Sequence, residues 1–224
     1  MYTPSMSAPV NPPGGNRRYD ATNRRLAAER TLERILASAE TTFLGRGYAA
    51  STMARIAAGA GVAVDTVYAV GGSKPMLFRS LIERAISGAD GALAPDQRDY
   101  VIEMRAEPDP ARKLARYARA IREIQARLAP LFLVLREASR AEPALGELWA
   151  EIAERRAANM RLLVADLMAA SPLRPGLSIE DAADILWATN SPEFYVLLVY
   201  ERGWEPDRFE AWLVELWVGS LLPD

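Results

Sequence analysis

Residues 52–74 read TMARIAAGAGVAVDTVYAVGGSK, and their spacing divides into two short helical runs about a single glycine. Met53, Ile56, Ala57 and Ala60 share one face of the first run, and Ser51 or Thr52 stands ready to cap its start. Gly61 can adopt a left-handed conformation cheaply, which lets the chain reverse. In the second run, residues 62–70, the inner side is Val62, Thr66 and Val67. Ala63, Val64, Asp65, Tyr68 and Ala69 cover the remainder. Two short helices meeting at a glycine turn form a helix-turn-helix, whose second helix can enter the major groove of DNA.

Any packed helix pair gives something of this pattern, and the flanks make it specific. Residues 43–68 read FLGRGYAASTMARIAAGAGVAVDTVY and are followed by Ser73 and Lys74. The whole stretch resembles the DNA-binding domain of the TetR family of bacterial transcription regulators. Phe43, Gly47, Tyr48, Ser51, Thr52, Ile56, Ala57, Ala60, Gly61, Val62, Thr66, Val67, Tyr68 and Lys74 all agree with that family's pattern at its spacing. Three positions depart from it. Gly71 stands where the family usually has Phe, Val70 where it often has His, and Ala63 replaces the commoner Ser. The second helix therefore loses a side-chain cap worth about 1 kcal/mol. Gly71–Gly72 is expected to make the joint to the next helix more flexible.

The resemblance implies a set of contacts with double-stranded DNA. Lys74, near the start of the fourth helix, is expected to grip a phosphate together with the helix amides. Thr66 and Tyr68 match positions whose hydroxyls donate to phosphates, and Thr52 and Tyr48 can join them. Thr66 and Tyr48 have packing as their plain alternative. Ala63, Val64, Asp65 and Ala69 are the candidates to face base edges. Asp65 can accept from cytosine N4 or simply favour the helix N-terminus.

Composition bounds the rest. The 224 residues include no cysteine and no histidine, which removes thiolate chemistry, the commonest general base and the commonest metal ligand. No catalytic residue, metal or cofactor is expected. No apolar run approaches the roughly 18 residues of a membrane span and no secretory leader is recognisable, so a cytoplasmic protein is the expectation. The net charge of −2 conceals a split: residues 1–90 hold 11 Lys/Arg against 7 Asp/Glu, and residues 91–224 hold 16 against 22. A modestly basic head on an acidic body is the reading.

The chain reads as all-α, with about nine helices. Residues 1–20 are taken as a disordered arm, in which Arg17 and Arg18, with Arg24 and Arg25 beyond, either reach phosphates or are merely solvated. Residues 21–88 form the helix-turn-helix head, and residues 89–224 a ligand-binding and dimerisation domain. Helix 1 is expected over about residues 22–44, with Gly45 as its terminal glycine. Helices are also expected around residues 98–106, from Pro110 through a kink at Pro130, over about residues 144–170, and on both sides of Ser191–Pro192.

Residues 189–204, TNSPEFYVLLVYERGW, and residues 206–217, PDRFEAWLVELW, look like the last two helices of one TetR subgroup, which implies a four-helix homodimer interface. Phe194, Leu198, Trp212 and Leu216 are its candidates, with Tyr195, Trp204 and Trp217 adding aromatic surface. A two-fold dimer implies a pseudo-palindromic operator. The effector site is read from polar breaks in apolar stripes: Arg136 beyond Tyr117 and Phe132, and Arg156 and Asn159 beyond Trp149, with Trp187 completing an aromatic wall. Either these polar groups satisfy one another, with the Arg side chains snorkelling to solvent, or they line a cavity for a mainly apolar small molecule, neutral or anionic. A ligand-responsive transcriptional repressor is the leading reading. The alternative is an all-α small-molecule-binding protein or enzyme with a vestigial DNA-binding head, motivated by Gly71.

Overall fold

A computed structural model describes residues 15–88 and 97–223, with side chains from residue 23. Among the described residues there is no strand. Ten α-helices are present: α1 (Gly15–Ala50), α2 (Met53–Ala60), α3 (Val64–Gly71), α4 (Lys74–Ser87), α5 (Asp99–Ala106), α6 (Pro110–Ala138), α7 (Pro143–Ala170), α8 (Ile179–Thr189), α9 (Pro192–Tyr195) and α10 (Pro206–Leu221). A π-helical turn, Val196–Glu201, continues α9. The expected disordered arm lies outside the described residues as far as residue 14, but residues 15–20 are already helical, so α1 starts earlier than its apolar stripe.

The break at the end of α1 falls at Gly47 (φ 72°, ψ 168°), not at Gly45. Ser51, 2% exposed, pins that turn by donating to the carbonyls of Gly47 (2.7 Å) and Thr42 (3.1 Å). Thr52 is thus left as the cap of α2, accepting from the Arg55 amide at 3.3 Å. Gly61 closes α2 in the left-handed region (φ 65°, ψ 40°), where a side chain would be strained.

Two apolar cores stack along the molecule. The first gathers Ile35, Phe43, Ile56, Val67, Leu77, Phe78 and Ile82 of α1–α4 and continues into Leu131 and Leu135 of α6 and Leu145 and Leu148 of α7. The second joins Leu114 and Tyr117 of α6, Leu163 and Leu167 of α7, Leu186 of α8, Tyr195, and Phe209, Leu213 and Trp217 of α10. Helix α6 runs unbroken through Pro130 and takes part in both. Its 3.6-residue apolar period is long enough to span head and body.

Interhelix ion pairs reinforce the join between α4 and α7: Glu83 with Arg155 at 2.9 Å and Arg79 with Glu151 at 2.7 Å. The second is well exposed and contributes little, on the order of 0–1 kcal/mol. No single helix among the described residues is long and apolar enough to cross a membrane. The α2–α3 pair has that composition only when joined across its 97° bend.

Candidate nucleic-acid interface and cavity

Helix α3 buries Val67 completely and Thr66 in part, while Ala63, Val64, Asp65, Tyr68 and Ala69 are exposed. This is the division that the spacing predicts. Ala63 occupies the cap position (φ −69°, ψ 152°) without a side-chain hydrogen bond, and Asp65 lies in the first turn, where its charge complements the helix dipole. Thr52 is exposed as well. These side chains form one open face containing no basic residue of α3 itself.

Tyr48 and Lys74 are not simple surface groups. The Tyr48 ring, 6% exposed, stacks on Phe43 at 5.5 Å and meets Phe78 edge-on at 5.6 Å. Its ring therefore belongs to the core of the head. The Lys74 ammonium sits 4.0 Å above that ring, a cation–π contact that positions the charge at the start of α4. Ser73 caps the same helix, accepting from the Met76 amide. Burial pushes the Tyr48 phenol up to about 12, helped by the Glu142 carboxylate. Burial also lowers the Lys74 ammonium from its ordinary value, with Glu142 opposing. Glu142, at the start of α7, thus places the body's acidic charge beside the head.

The joint after α3 is better packed than the two glycines suggest. A Cβ at Gly71 would fall 2.5 Å from Leu77 Cδ2 and 3.5 Å from Ile35 Cγ2, and Leu77 is fully buried. Leu77 fills the space beside Gly71, so the expected loose hinge is replaced by a side chain from α4.

The body holds a cavity of about 360 Å³ between α4, α5, α6, α7 and the end of α8. Of the residues expected around an effector, Tyr117, Arg156 and Asn159 line it. Phe132, Arg136, Trp149 and Trp187 do not. Phe132 and Trp149 pack on each other at 4.7 Å, and Trp149 joins the head-side core instead. Arg136 is exposed, on the outer face of the same α6 turns whose inner face buries Leu131 and Leu135. Trp187 lies behind the cavity wall, donating to the Ala153 carbonyl at 3.3 Å and stacking beneath Arg156 at 5.1 Å. Beside the rings of Tyr100 and Tyr117 the wall is aliphatic and thioether, with Ile121, Ile124, Leu128, Ile152, Met104 and Met160 in place of the other expected aromatics.

At the cavity floor lies a buried polar network centred on Asn190, which closes α8. Its Nδ2 donates to Tyr117 Oη at 2.8 Å, and its Oδ1 accepts from Arg156 Nη2 at 2.6 Å. Its backbone carbonyl accepts from Gln125 Nε2 at 2.6 Å. Arg156 also donates to the Trp187 carbonyl at 2.6 Å. Burial lowers the Arg156 guanidinium, partly offset by Tyr117 and Glu193, and it remains a cation, as arginines do. Burial raises the Tyr117 phenol, so that it stays neutral. Both sequence alternatives for Arg156 hold at once: it is internally paired, and it lines a cavity. Arg98, Gln125, Asn190 and Arg155 were missed as lining residues. Gln125 left one sign, a polar group in an apolar stripe. Arg98 left none.

The chosen dimer candidates Phe194, Leu198, Trp212 and Leu216 are all half-buried. Phe194 stacks on Trp212 at 5.8 Å and Trp204 meets Trp212 edge-on at 6.2 Å. Leu197 and Tyr200 beside them are about half exposed, at 47% and 48%. Tyr195 and Trp217 are internal, at 2% and 0% exposed, and add no surface.

Comparison with known proteins places this architecture. The family model described as bacterial regulatory proteins of the TetR family matches residues 35–81, the segment from the middle of α1 to the middle of α4. No curated protein sequence matches the chain. Among solved structures, the fold is similar to NalD, the secondary repressor of the MexAB-OprM multidrug efflux pump in Pseudomonas aeruginosa. That likeness has a TM-score of 0.68 and 24% identity, covering 88% of this chain and 98% of NalD. It is also similar to the fatty acid degradation regulator FadR of Bacillus halodurans, with a TM-score of 0.67 and 18% identity over 84% and 95% of the two chains. A transcriptional regulator from Saccharomonospora viridis, solved with choline, gives a TM-score of 0.64 and 19% identity over 85% and 96%. The helix-turn-helix and its flanks, residues 35–81, match the model of the TetR family of bacterial regulatory proteins, and the bundle as a whole has the fold of these solved regulators.

Proposed function

We propose that the protein is a homodimeric repressor that binds a pseudo-palindromic operator and leaves it when a small, mainly apolar effector fills the body cavity. Residues 21–88 are the DNA-binding unit and residues 89–224 the effector-binding and dimerisation unit, acting in the cytoplasm. Ala63, Val64, Asp65 and Ala69 face base edges. Thr52, Tyr68, Lys74 and, through its hydroxyl, Thr66 hold the phosphate backbone, and Tyr48 seats Lys74. Phe194, Leu198, Trp212 and Leu216 form the centre of the two-fold interface.

One observation carries the effector coupling. Arg155 and Ile86 both line the cavity, yet Ile86 belongs to α4 and Arg155 is ion-paired to Glu83 of α4. The cavity wall therefore includes the helix that follows the helix-turn-helix. An occupant displacing this wall would move α4 and with it the Lys74 end. The repressor description of NalD and the bound choline of another neighbour are consistent with the same division of labour.

The test begins with the full-length protein and a random duplex library. Enrichment of an inverted repeat, with half-sites about one helical turn apart, is the expected result. Enrichment of no sequence over bulk DNA would refute the DNA reading. Filling the cavity from its wall with Ile124→Trp should then lower operator affinity while helical circular dichroism is retained. A folded Ile124→Trp protein with wild-type operator affinity would show that the cavity and the head are uncoupled.

A further inference from the structure

Two buried polar atoms of residues that line the cavity have no hydrogen-bond partner among the described residues. Arg98 is 8% exposed and its Nε has no hydrogen-bond partner. Gln125 is 2% exposed; its Nε2 is committed to the Asn190 carbonyl, which fixes the amide orientation, and its Oε1 has no donor. Both line the same cavity. Leaving a buried hydrogen-bonding atom unmade costs on the order of 1–3 kcal/mol, and more for a charged group. Two such atoms around one apolar space call for a ligand that supplies an acceptor to the first and a donor to the second.

Charge decides the sign of that ligand. The lining carries Arg98, Arg105, Arg155 and Arg156 against the single acid Asp166. Asp166 is taken by Lys113 at 2.5 Å and Arg155 by Glu83 at 2.9 Å. Arg156 is bonded to two neutral oxygens, with Glu193 close enough to influence it. Arg98 has no acidic partner among the described residues. A cation would meet a positive interior.

We propose that the effector is an apolar carboxylic acid bearing one hydroxyl, its carboxylate accepting from Arg98 and its hydroxyl donating to Gln125 Oε1. This rests on the effector-responsive reading above and names the chemical class. Branched aliphatic and methionine side chains conform to a flexible alkyl body better than a rigid wall would. Arg105 and Leu162, both exposed, mark the side of the cavity that reaches solvent.

Calorimetric titration of the full-length protein without DNA tests the class directly. The probes are decanoate, methyl decanoate, the β- and ω-hydroxydecanoates, and choline. Decanoate should bind about tenfold or more tightly than its methyl ester, the value of one charge-assisted hydrogen bond. At least one hydroxy acid should bind more tightly than decanoate, and choline should not bind. In Arg98→Met the acid should lose its advantage over the ester, and in Gln125→Leu the hydroxyl should lose its benefit. A merely structural Arg98 predicts that Arg98→Met lowers the melting temperature of the ligand-free protein. A buried Nε left without an acceptor for the sake of a ligand predicts that it rises.

Equal binding of acid and ester, preference for choline, no binding of any probe, or an unchanged acid-to-ester ratio in Arg98→Met would each overturn the assignment. An acid that binds as described but leaves operator affinity unchanged would instead sink the effector-responsive reading and leave the ligand class standing.

Discussion

Lys74 shows how one residue serves two environments. Its ammonium rests on the Tyr48 ring, and its position at the start of α4 puts it beside backbone amides that favour an anion. Lys74→Ala should weaken binding to all duplexes alike and lower the salt slope by about one. Anisotropy titrations over a range of salt would show it, and an unchanged slope would exclude a phosphate contact. Tyr48 gives a pH signature of its own. Its folded-state value is raised, so the stability it contributes is complete below the ordinary phenol value and is lost as pH rises through about 12. Tyr48→Phe should shallow the alkaline loss of stability in unfolding curves, and an identical alkaline limb would show that another group controls it.

Among the elements, α3 is the weakest by local criteria and the most dependent on its neighbours. It has eight residues, no side-chain cap and one fully buried side chain. Ala63→Ser should stabilise the protein by about 1 kcal/mol, a rise of about 2–4 °C in melting temperature for a chain of this size. A melting temperature that does not rise would mean that the α3 N-terminus is already satisfied some other way. At the other end of α3, the close approach of Gly71 and Leu77 means that Gly71→Phe should overpack the joint at a cost of about 1–3 kcal/mol. Adding Leu77→Ala should recover part of that loss, a coupling that a double-mutant cycle measures. Additive effects would show that the two side chains do not compete for one space.

At the scale of the whole molecule, α9, the π-helical turn and α10 carry half-buried Phe194, Leu198, Trp212 and Leu216 beside the exposed Leu197 and Tyr200, the kind of apolar surface that marks an interaction site. Placing Glu at Leu198 and Leu216 should convert a micromolar dimer to a folded monomer in sedimentation velocity while circular dichroism remains helical. Operator affinity should fall with it, because two half-sites bind one two-fold protein. A wild-type monomer that still binds the selected operator tightly would refute this assembly.

Much of this was present in the chain itself. Local signals act within a turn or two: the 3.6-residue stripes, the glycine at Gly61, the caps at Thr52 and Ser73, and the breaks at prolines. These dictated an all-α fold and the exposed face of α3, because backbone preference and one-sided burial are properties of neighbouring residues. Helix limits went astray where the decisive contact was distant: the break of α1 sits at Gly47, where the buried Ser51 hydroxyl fastens it. Gly71 read as a hinge because nothing near it in sequence says that Leu77 fills the gap. The cavity was the least legible feature. Tyr117, Arg156 and Asn159 line it, but Phe132 and Trp149 pack on each other and Trp149 joins the head-side core, since α6 and α7 are each shared by two cores. Arg98 and Gln125 acquire meaning only when α5 and α6 meet across an empty space, where the lack of a partner is decided by the packing of separate helices and not by residue type.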